Sequence, residues 1–378
     1  MSRSVSARVK SKVISIIILV VVGLLFPLVL IEIAARIAPQ LIPTEIKAVF
    51  QHEQDQPLKG LIPDGQLGYK YASGLKNFPV PFVGDKAEQV YTVTTVSLGY
   101  AGVGFRDDGL TGDPFAVVVG DSYANCASVA LEECWVELLE QATGRDFANL
   151  GVVGYSPQQT QRMLATYGLP LKPKLVLWVF FGNDLNDAWR FDQFGSGAAR
   201  EGKFWQQPVR AWLARNSVVY QALSFFWYNR DLFTRLAQAD GELVPRDSNL
   251  IWWLTYTDLT VPEVAAGLKL TETAILTASE QLRAADDTAD FVVVILPFRE
   301  QVYAAPSLRP QLDGYSQALL DFGRQHDITV LDLTPALREA AASQPTPLYF
   351  QQDIHLNARG NELVAQLLRQ KLSSILAK

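Results

Sequence analysis

From about residue 113 onward, short apolar runs alternate with longer amphipathic stretches, and no other feature of the chain restricts its fold as much. Phe115–Val119, Phe147–Leu150, Leu175–Phe181, Phe291–Leu296 and Ile328–Leu331 are mostly apolar, rich in Val, Ile, Leu and Phe, and too short for helices. Between and after them, Cys134–Gln141, Ser156–Tyr167 and Asn361–Leu376 carry helical spacing. The last of these sets Leu363, Val364, Leu367, Leu368, Leu372 and Ile375 on one side. A strand apolar on both faces must be covered on both faces, and strands separated by helices pair in parallel. The expected class is α/β with a parallel sheet. A stretch at about 190–285 interrupts the alternation. It contains Phe204, Trp205, Trp212, Tyr220, Phe225, Phe226, Trp227, Tyr228, Trp252 and Trp253. It reads as a helical subdomain with an aromatic core; a lid, or a surface meeting lipid or glycan, is the alternative.

The N-terminus is of another kind. Val13–Ile31 is an uncharged, mostly apolar run of 19 residues. As a helix it spans roughly 28 Å, close to the hydrocarbon thickness of a bilayer. Arg3, Arg8, Lys10 and Lys12 precede it without an acid, whereas Glu32, Arg36, Glu45 and Lys47 follow it as a mixed set. The positive-inside rule then puts residues 1–37 as a cytoplasmic tip and single-pass anchor, and everything beyond in an extracytoplasmic compartment, periplasmic or extracellular. The run is longer than a signal-peptide core, and no clear small-residue cleavage site follows it. Residues 38–112 read as a stalk with a small β or irregular extension: Pro57, Gly60, Pro63, Gly65 and Gly68 punctuate it, Gln89–Val96 is strand-like, and Gly104–Asp107 reads as a turn packing on the next domain. Residues 113–378 form the main domain.

Composition narrows the partners. At 49% apolar and 19% charged the chain can bury a large core, and a net charge of −6 argues against nucleic acid. The three histidines, His52, His326 and His355, are scattered and no CxxC occurs, so no metal motif is present and no cofactor is implied. Cys126 and Cys134 would stand roughly 12 Å apart on one helix and could not bridge. Free, buried thiols are the expectation; a loop between them would permit a disulfide.

The strand Val117-Val118-Val119 runs directly into Gly120-Asp121-Ser122. In an open parallel sheet, ligands meet the carboxyl ends of strands. The second strand leads to Asn149-Leu150-Gly151-Val152-Val153-Gly154, the third to Gly182-Asn183-Asp184, and Asp353-Ile354-His355 precedes the last helix. A serine hydroxyl is a weak nucleophile at neutral pH and needs a base, for which His355 has the best neighbourhood, with Asp353 to orient it. The developing oxyanion needs fixed donors, which the Ser122 and Gly154 N–H groups and the Asn183 amide can supply. Asp332 is an alternative acid or a strand-end cap. Asp184 and Asp187 read as structural. Arg299 and Tyr303, on Pro297–Tyr303 beyond the fourth strand, are possible substrate contacts.

These four segments resemble the SGNH (GDSL-like) hydrolase superfamily over about 113–378, apart from much of the aromatic insertion. The resemblance implies a flavodoxin-like three-layer α/β/α sandwich. It makes Ser122 the nucleophile, Ser122, Gly154 and Asn183 the oxyanion donors, and Asp353 with His355 the rest of a triad. The common family spacing is Asp-x-x-His; the shorter Asp353-x-His355 is similar to the membrane-anchored, extracytoplasmic branch of alginate O-acetyltransferase-type proteins. The expected activity is a serine esterase acting on an acylated glycan or other ester. Acyl transfer to a polysaccharide through the same acyl-enzyme is the alternative, and a non-catalytic glycan-binding scaffold a third reading.

Overall fold

The computed structural model describes residues 23, 26–34, 36–38, 60–83, 88–195, 217, 219–220, 253–343, 346–351 and 353–377. The chain forms two compact units. One is built from residues 1–55 and 204–244, the other from 56–203 and 245–378.

In the larger unit, β5 (Ala116–Val119), β6 (Phe147–Asn149), β7 (Leu175–Phe180), β8 (Asp290–Ile295) and β9 (Thr329–Asp332) form a parallel sheet in the order β6-β5-β7-β8-β9. Every residue of β5, β6 and β7 is buried, which is why those segments carry no polar alternation. The first connection steps outward from β5 to β6, and all later ones step the other way. Right-handed crossovers therefore place α1 (Trp135–Thr143) on one face, and α2 (Pro157–Met163), α3 (Asp184–Phe194), α4 (Pro262–Ala285) and α6 (Gly314–His326) on the other. The short α5 (Arg299–Tyr303) leaves β8 and packs on α7 (Thr334–Ser343), while α8 (Ala358–Lys371) returns to pack on α1. This is an α/β fold with a five-stranded parallel sheet whose strand order reverses at β5. The expected insertion at about 190–285 is shorter at its far end. α4 packs on α2 and α3 and is the crossover helix to β8.

Residues 60–110 are built into the same unit. β1 (Leu61–Asp64) pairs antiparallel with β2 (Gly68–Tyr71), and β3 (Phe78–Val83) with β4 (Glu88–Val93). Tyr71, Val80, Val93 and Phe105 are buried in the common core. The turn at 104–107 does pack on the domain, through Arg106. Its guanidinium is fully buried and donates to the carbonyls of Asn125, Cys126 and Val129, each at 2.6 Å.

The smaller unit joins two distant stretches of chain. Glu32, on the helical residues 26–34, accepts from Arg36 and also from the Ser217 hydroxyl and the Val219 N–H, both at 3.0 Å. A carboxylate on one element thus caps the start of the helical residues 219–220. Among the described residues no helix is long and apolar enough to cross a membrane. Of the run Val13–Ile31, residues 13–22, 24 and 25 lie outside the described residues, as do His52 and most aromatics of the insertion.

Candidate active site

The residues singled out in the sequence gather at the carboxyl edge of the sheet, at the β5/β7 reversal. Gly120 ends β5 at φ 155°, and a Cβ there would meet the Val179 Cβ and carbonyl oxygen at 2.9 Å. Only glycine lets the chain turn this tightly against β7. Asp121 braces the next turn: one carboxylate oxygen accepts from the Tyr123 N–H at 2.9 Å, the other from the Ser122 hydroxyl at 3.4 Å. Ser122 is nearly buried.

His355 comes from a tight loop closed by Phe350 N–H to His355 O and Asn357 N–H to Leu348 O. Asn357 then caps α8 through the Gly360 N–H. Asp353 takes both the His355 N–H, at 2.8 Å, and the ring Nδ1, at 2.5 Å. The Ser128 hydroxyl donates to its other oxygen at 3.3 Å. Burial alone would raise the Asp353 pKa, but the His355 charge and these hydrogen bonds outweigh it and hold the carboxyl below its ordinary value. His355 Nε2 is buried with no hydrogen-bond partner among the described residues. Tyr123, next to the serine, sets its ring 5.4 Å from the imidazole and donates its hydroxyl to the Ile354 carbonyl at 2.5 Å. The serine turn and the histidine loop are therefore tied together, although Ser122 donates to Asp121 and not to His355.

Gly154 takes φ 72°, and a Cβ there would come within 3.0 Å of the Tyr69 hydroxyl. That hydroxyl donates to the Val153 carbonyl at 3.0 Å, and Tyr155 donates back to Tyr69 O at 2.6 Å. The extension thus fixes the loop that carries Gly154. Among the described residues, neither the Ser122 nor the Gly154 N–H donates to a backbone carbonyl. Asn183 stands at the start of α3; its amide donates to Asp187 at 2.9 Å and also serves the Asp121 carboxyl, while its Oδ1 is buried and unpaired. Beneath it lies a second buried acid. Burial pushes Asp184 well above the ordinary range, and the Asp121 charge adds to the shift. Burial raises Asp121 as well, offset in part by the Tyr123 N–H, the His355 charge, and bonds from Asn183 and Ser122. Asp184 is the more strongly raised of the two, because the Asp121 charge adds to its burial.

One expectation needs correction. Cys126 and Cys134 are bonded, with Cα atoms 5.3 Å apart. The segment between them is turns with left-handed Cys126 and Ser128, followed by one turn of 3-10 helix at Leu131–Glu133, not a continuous α-helix that would hold the sulfurs apart. Arg299 and Tyr303 both bond to the histidine loop, and Tyr303 remains 46% exposed. Arg299 donates to the Phe350 and Gln351 carbonyls and pairs with Glu300, and the Tyr303 hydroxyl accepts from the Leu348 N–H at 3.0 Å. Asp332 serves as a strand-end cap, accepting from the Thr334 N–H at 2.8 Å. Tyr69, Arg106, Tyr123 and Ser128 escaped the sequence reading, because each acts through a partner distant in the chain or through an ordinary aromatic or hydroxyl side chain. Only Tyr123, adjoining Ser122, had a positional signal.

The family model described as the GDSL-like Lipase/Acylhydrolase family matches residues 118–363. No curated protein matches the chain. Among solved structures, a member of the lipolytic protein G-D-S-L family from Veillonella parvula DSM 2008 is 15% identical, with 68% of this chain and 97% of that one covered and a TM-score of 0.38. A catalytic mutant of the acetylxylan esterase Axe2 from Geobacillus stearothermophilus is 13% identical, with 70% and 95% covered and a TM-score of 0.39. Since the family match spans well over half of the 378 residues and takes in all four site segments, the chain belongs to the GDSL-like lipase/acylhydrolase family and is an SGNH-type hydrolase acting on esters.

Proposed function

We propose that the protein is a membrane-anchored serine esterase that removes acyl groups from an extracytoplasmic glycan. The observation that carries the catalytic part is the His355 ring: Nδ1 is held by Asp353 while Nε2 is buried, unpaired and beside the Ser122 turn. An imidazole so oriented is a base awaiting a proton. Ser122 Oγ leaves Asp121, gives its proton to Nε2 and attacks the ester carbonyl. The oxyanion is met by the Ser122 and Gly154 N–H groups and by the Asn183 amide hydrogen that otherwise serves Asp121. The alcohol leaves with the proton from His355, and water releases the acid from the acyl-serine by the same route in reverse. Anchoring is supported by the exposed Phe26, Val29, Leu30, Ile31, Ile33 and Ile37, an apolar surface contiguous with the uncharged run before it. The glycan reading draws on the Asp353-x-His355 spacing, which also favours a second reading, transfer of the acyl group to a sugar hydroxyl.

The test uses the full chain in detergent. It should label with a fluorophosphonate and hydrolyse p-nitrophenyl acetate. Ser122→Ala should abolish both, and His355→Ala should slow hydrolysis about a thousand-fold or more. Labelling that persists in Ser122→Ala would overturn the nucleophile. Acetyl donor and an oligosaccharide panel, read by mass spectrometry, separate the two readings: an acetylated sugar supports transfer, free acetate alone supports hydrolysis.

A further inference from the structure

We propose that Ser128 is a positioning residue for the ester reaction, its hydroxyl holding the triad carboxylate in register with the nucleophile; this rests on the Ser122–His355–Asp353 mechanism above. Asp353 and His355 belong to one short loop. The bonds between them, from the His355 N–H and from Nδ1, both end on the same oxygen, Asp353 Oδ1. They orient the imidazole but, being local, do not set where the pair stands relative to Ser122. A carboxylate held through one oxygen can also pivot about its Cβ–Cγ bond. The other oxygen, Oδ2, accepts from the Ser128 hydroxyl at 3.3 Å, across 225 residues of sequence. Ser128 lies on the loop that also carries Ser122. Among the described residues, it alone donates to this carboxylate from outside the histidine loop. Tyr123 makes the companion tie, from its hydroxyl to the carbonyl of Ile354, the residue between acid and base.

The loop holds that hydroxyl still. Ser128 is only 5% exposed and takes a left-handed φ of 74°, a conformation that side chains other than Asn and Asp seldom adopt. Glycine would fit this backbone without strain, so what serine adds here is its hydroxyl. The chain is pinned on both sides of it. The buried Arg106 guanidinium donates to the Cys126 and Val129 carbonyls, and the disulfide ties Cys126 to Cys134 at the start of α1. The electrostatics agree with the geometry. Burial works to raise the Asp353 pKa; the charge and bonds of His355, and after them the Ser128 hydroxyl, bring it below its ordinary value. The other titratable groups that face Asp353 are Tyr91 from β4 and Tyr123 from the serine turn. Among the described residues neither donates to the carboxylate, and the Tyr123 hydroxyl is committed to Ile354.

Hydrolysis of p-nitrophenyl acetate and the rate constant of fluorophosphonate labelling would be measured on the full chain in detergent. Ser128→Ala and Ser128→Gly should each lower kcat about tenfold and slow labelling by a similar factor, with KM within about twofold of wild type, because the lost bond acts on the base that assists Ser122 and not on substrate binding. Glycine relieves the left-handed backbone, so Ser128→Gly should melt at or above Ser128→Ala and yet be as slow. A purely structural serine predicts instead that rate follows melting temperature. Asp327→Ala places a similar backbone cost just past α6, where Asp327 has φ 55°; it should lower the melting temperature and leave kcat unchanged. Ser122→Ala and His355→Ala, run alongside, keep two failures apart. Full activity surviving in either removes the triad, and the role of Ser128 with it. With both impaired, the role of Ser128 alone is overturned if Ser128→Ala or Ser128→Gly keeps the wild-type kcat, if the loss lies in KM, if labelling is unaffected while turnover falls, or if Asp327→Ala is slowed as much.

Discussion

The Asp121 and Asp184 carboxyls illustrate how much a single proton decides at the base of this site. With Asp184 neutral and accepting the Phe181 N–H at 3.1 Å, an asparagine can replace it almost atom for atom. Asp184→Asn should therefore keep kcat/KM within about threefold of wild type, whereas Asp184→Ala should lose roughly 1–3 kcal/mol of stability by leaving a buried N–H unpaired. A large loss of activity in the asparagine variant would mean that Asp184 carries the charge. Asp353 is the opposite case. Its folded pKa lies below that of the unfolded chain, so its stabilising contribution is full above about pH 4 and disappears as pH falls through the lower folded value. In urea unfolding, the stability gap between wild type and Asp353→Asn should be widest at about pH 5 to 7 and shrink below about pH 4. A gap independent of pH would contradict the assignment. Ser122, Asp353 and His355 stood out as candidates in the sequence because nucleophile, acid and base chemistry limits which side chains can serve. Arg106 could not, since its partners Asn125, Cys126 and Val129 are backbone carbonyls, and any residue type supplies those.

At the level of elements, the strands were legible for a physical reason: a parallel strand buried on both faces has no polar position, so β5, β7 and β8 stand out as runs. Of the hairpins β1–β2 and β3–β4 only β4 stood out, as the strand-like Gln89–Val96, because the burial of the others comes from partners far along the chain, such as the Val153 carbonyl for Tyr69. The cysteines depended on the element between them. A helix would have kept them apart, and the turns bring them together. Cys126 and Cys134 are 8 residues apart in sequence. Closing so short a loop in the unfolded chain corresponds to about 2–3 kcal/mol in the chain-entropy treatment. The double variant Cys126→Ala/Cys134→Ala should lose about that much in denaturant unfolding. It should also lower activity, because the bridged loop carries Ser128, which donates to Asp353. A variant of unchanged stability and unchanged rate would show that Arg106 holds the loop unaided.

For the whole molecule, the boundary of the family match and the boundary of the folding unit differ. The match begins at residue 118, yet the compact unit begins at residue 56. The difference is energetic as well as topological. Tyr71, Val80, Val93, Val103 and Phe105 are all essentially buried in the core shared with the sheet. At roughly 1.5–3 kcal/mol for each fully buried side chain, their sum is comparable with the ~5–15 kcal/mol that holds a typical domain together. Removing residues 1–112 would in addition strip the three donors from the 125–129 loop and leave the Val153 carbonyl without Tyr69. A chain that begins at residue 113 should therefore aggregate or melt without a cooperative transition, even though it contains every catalytic candidate. A chain that begins at residue 56 should run as a discrete species on gel filtration and unfold cooperatively. If the shorter chain proved soluble with the melting temperature of the longer one, the extension would be a covering of the family domain and not part of its core.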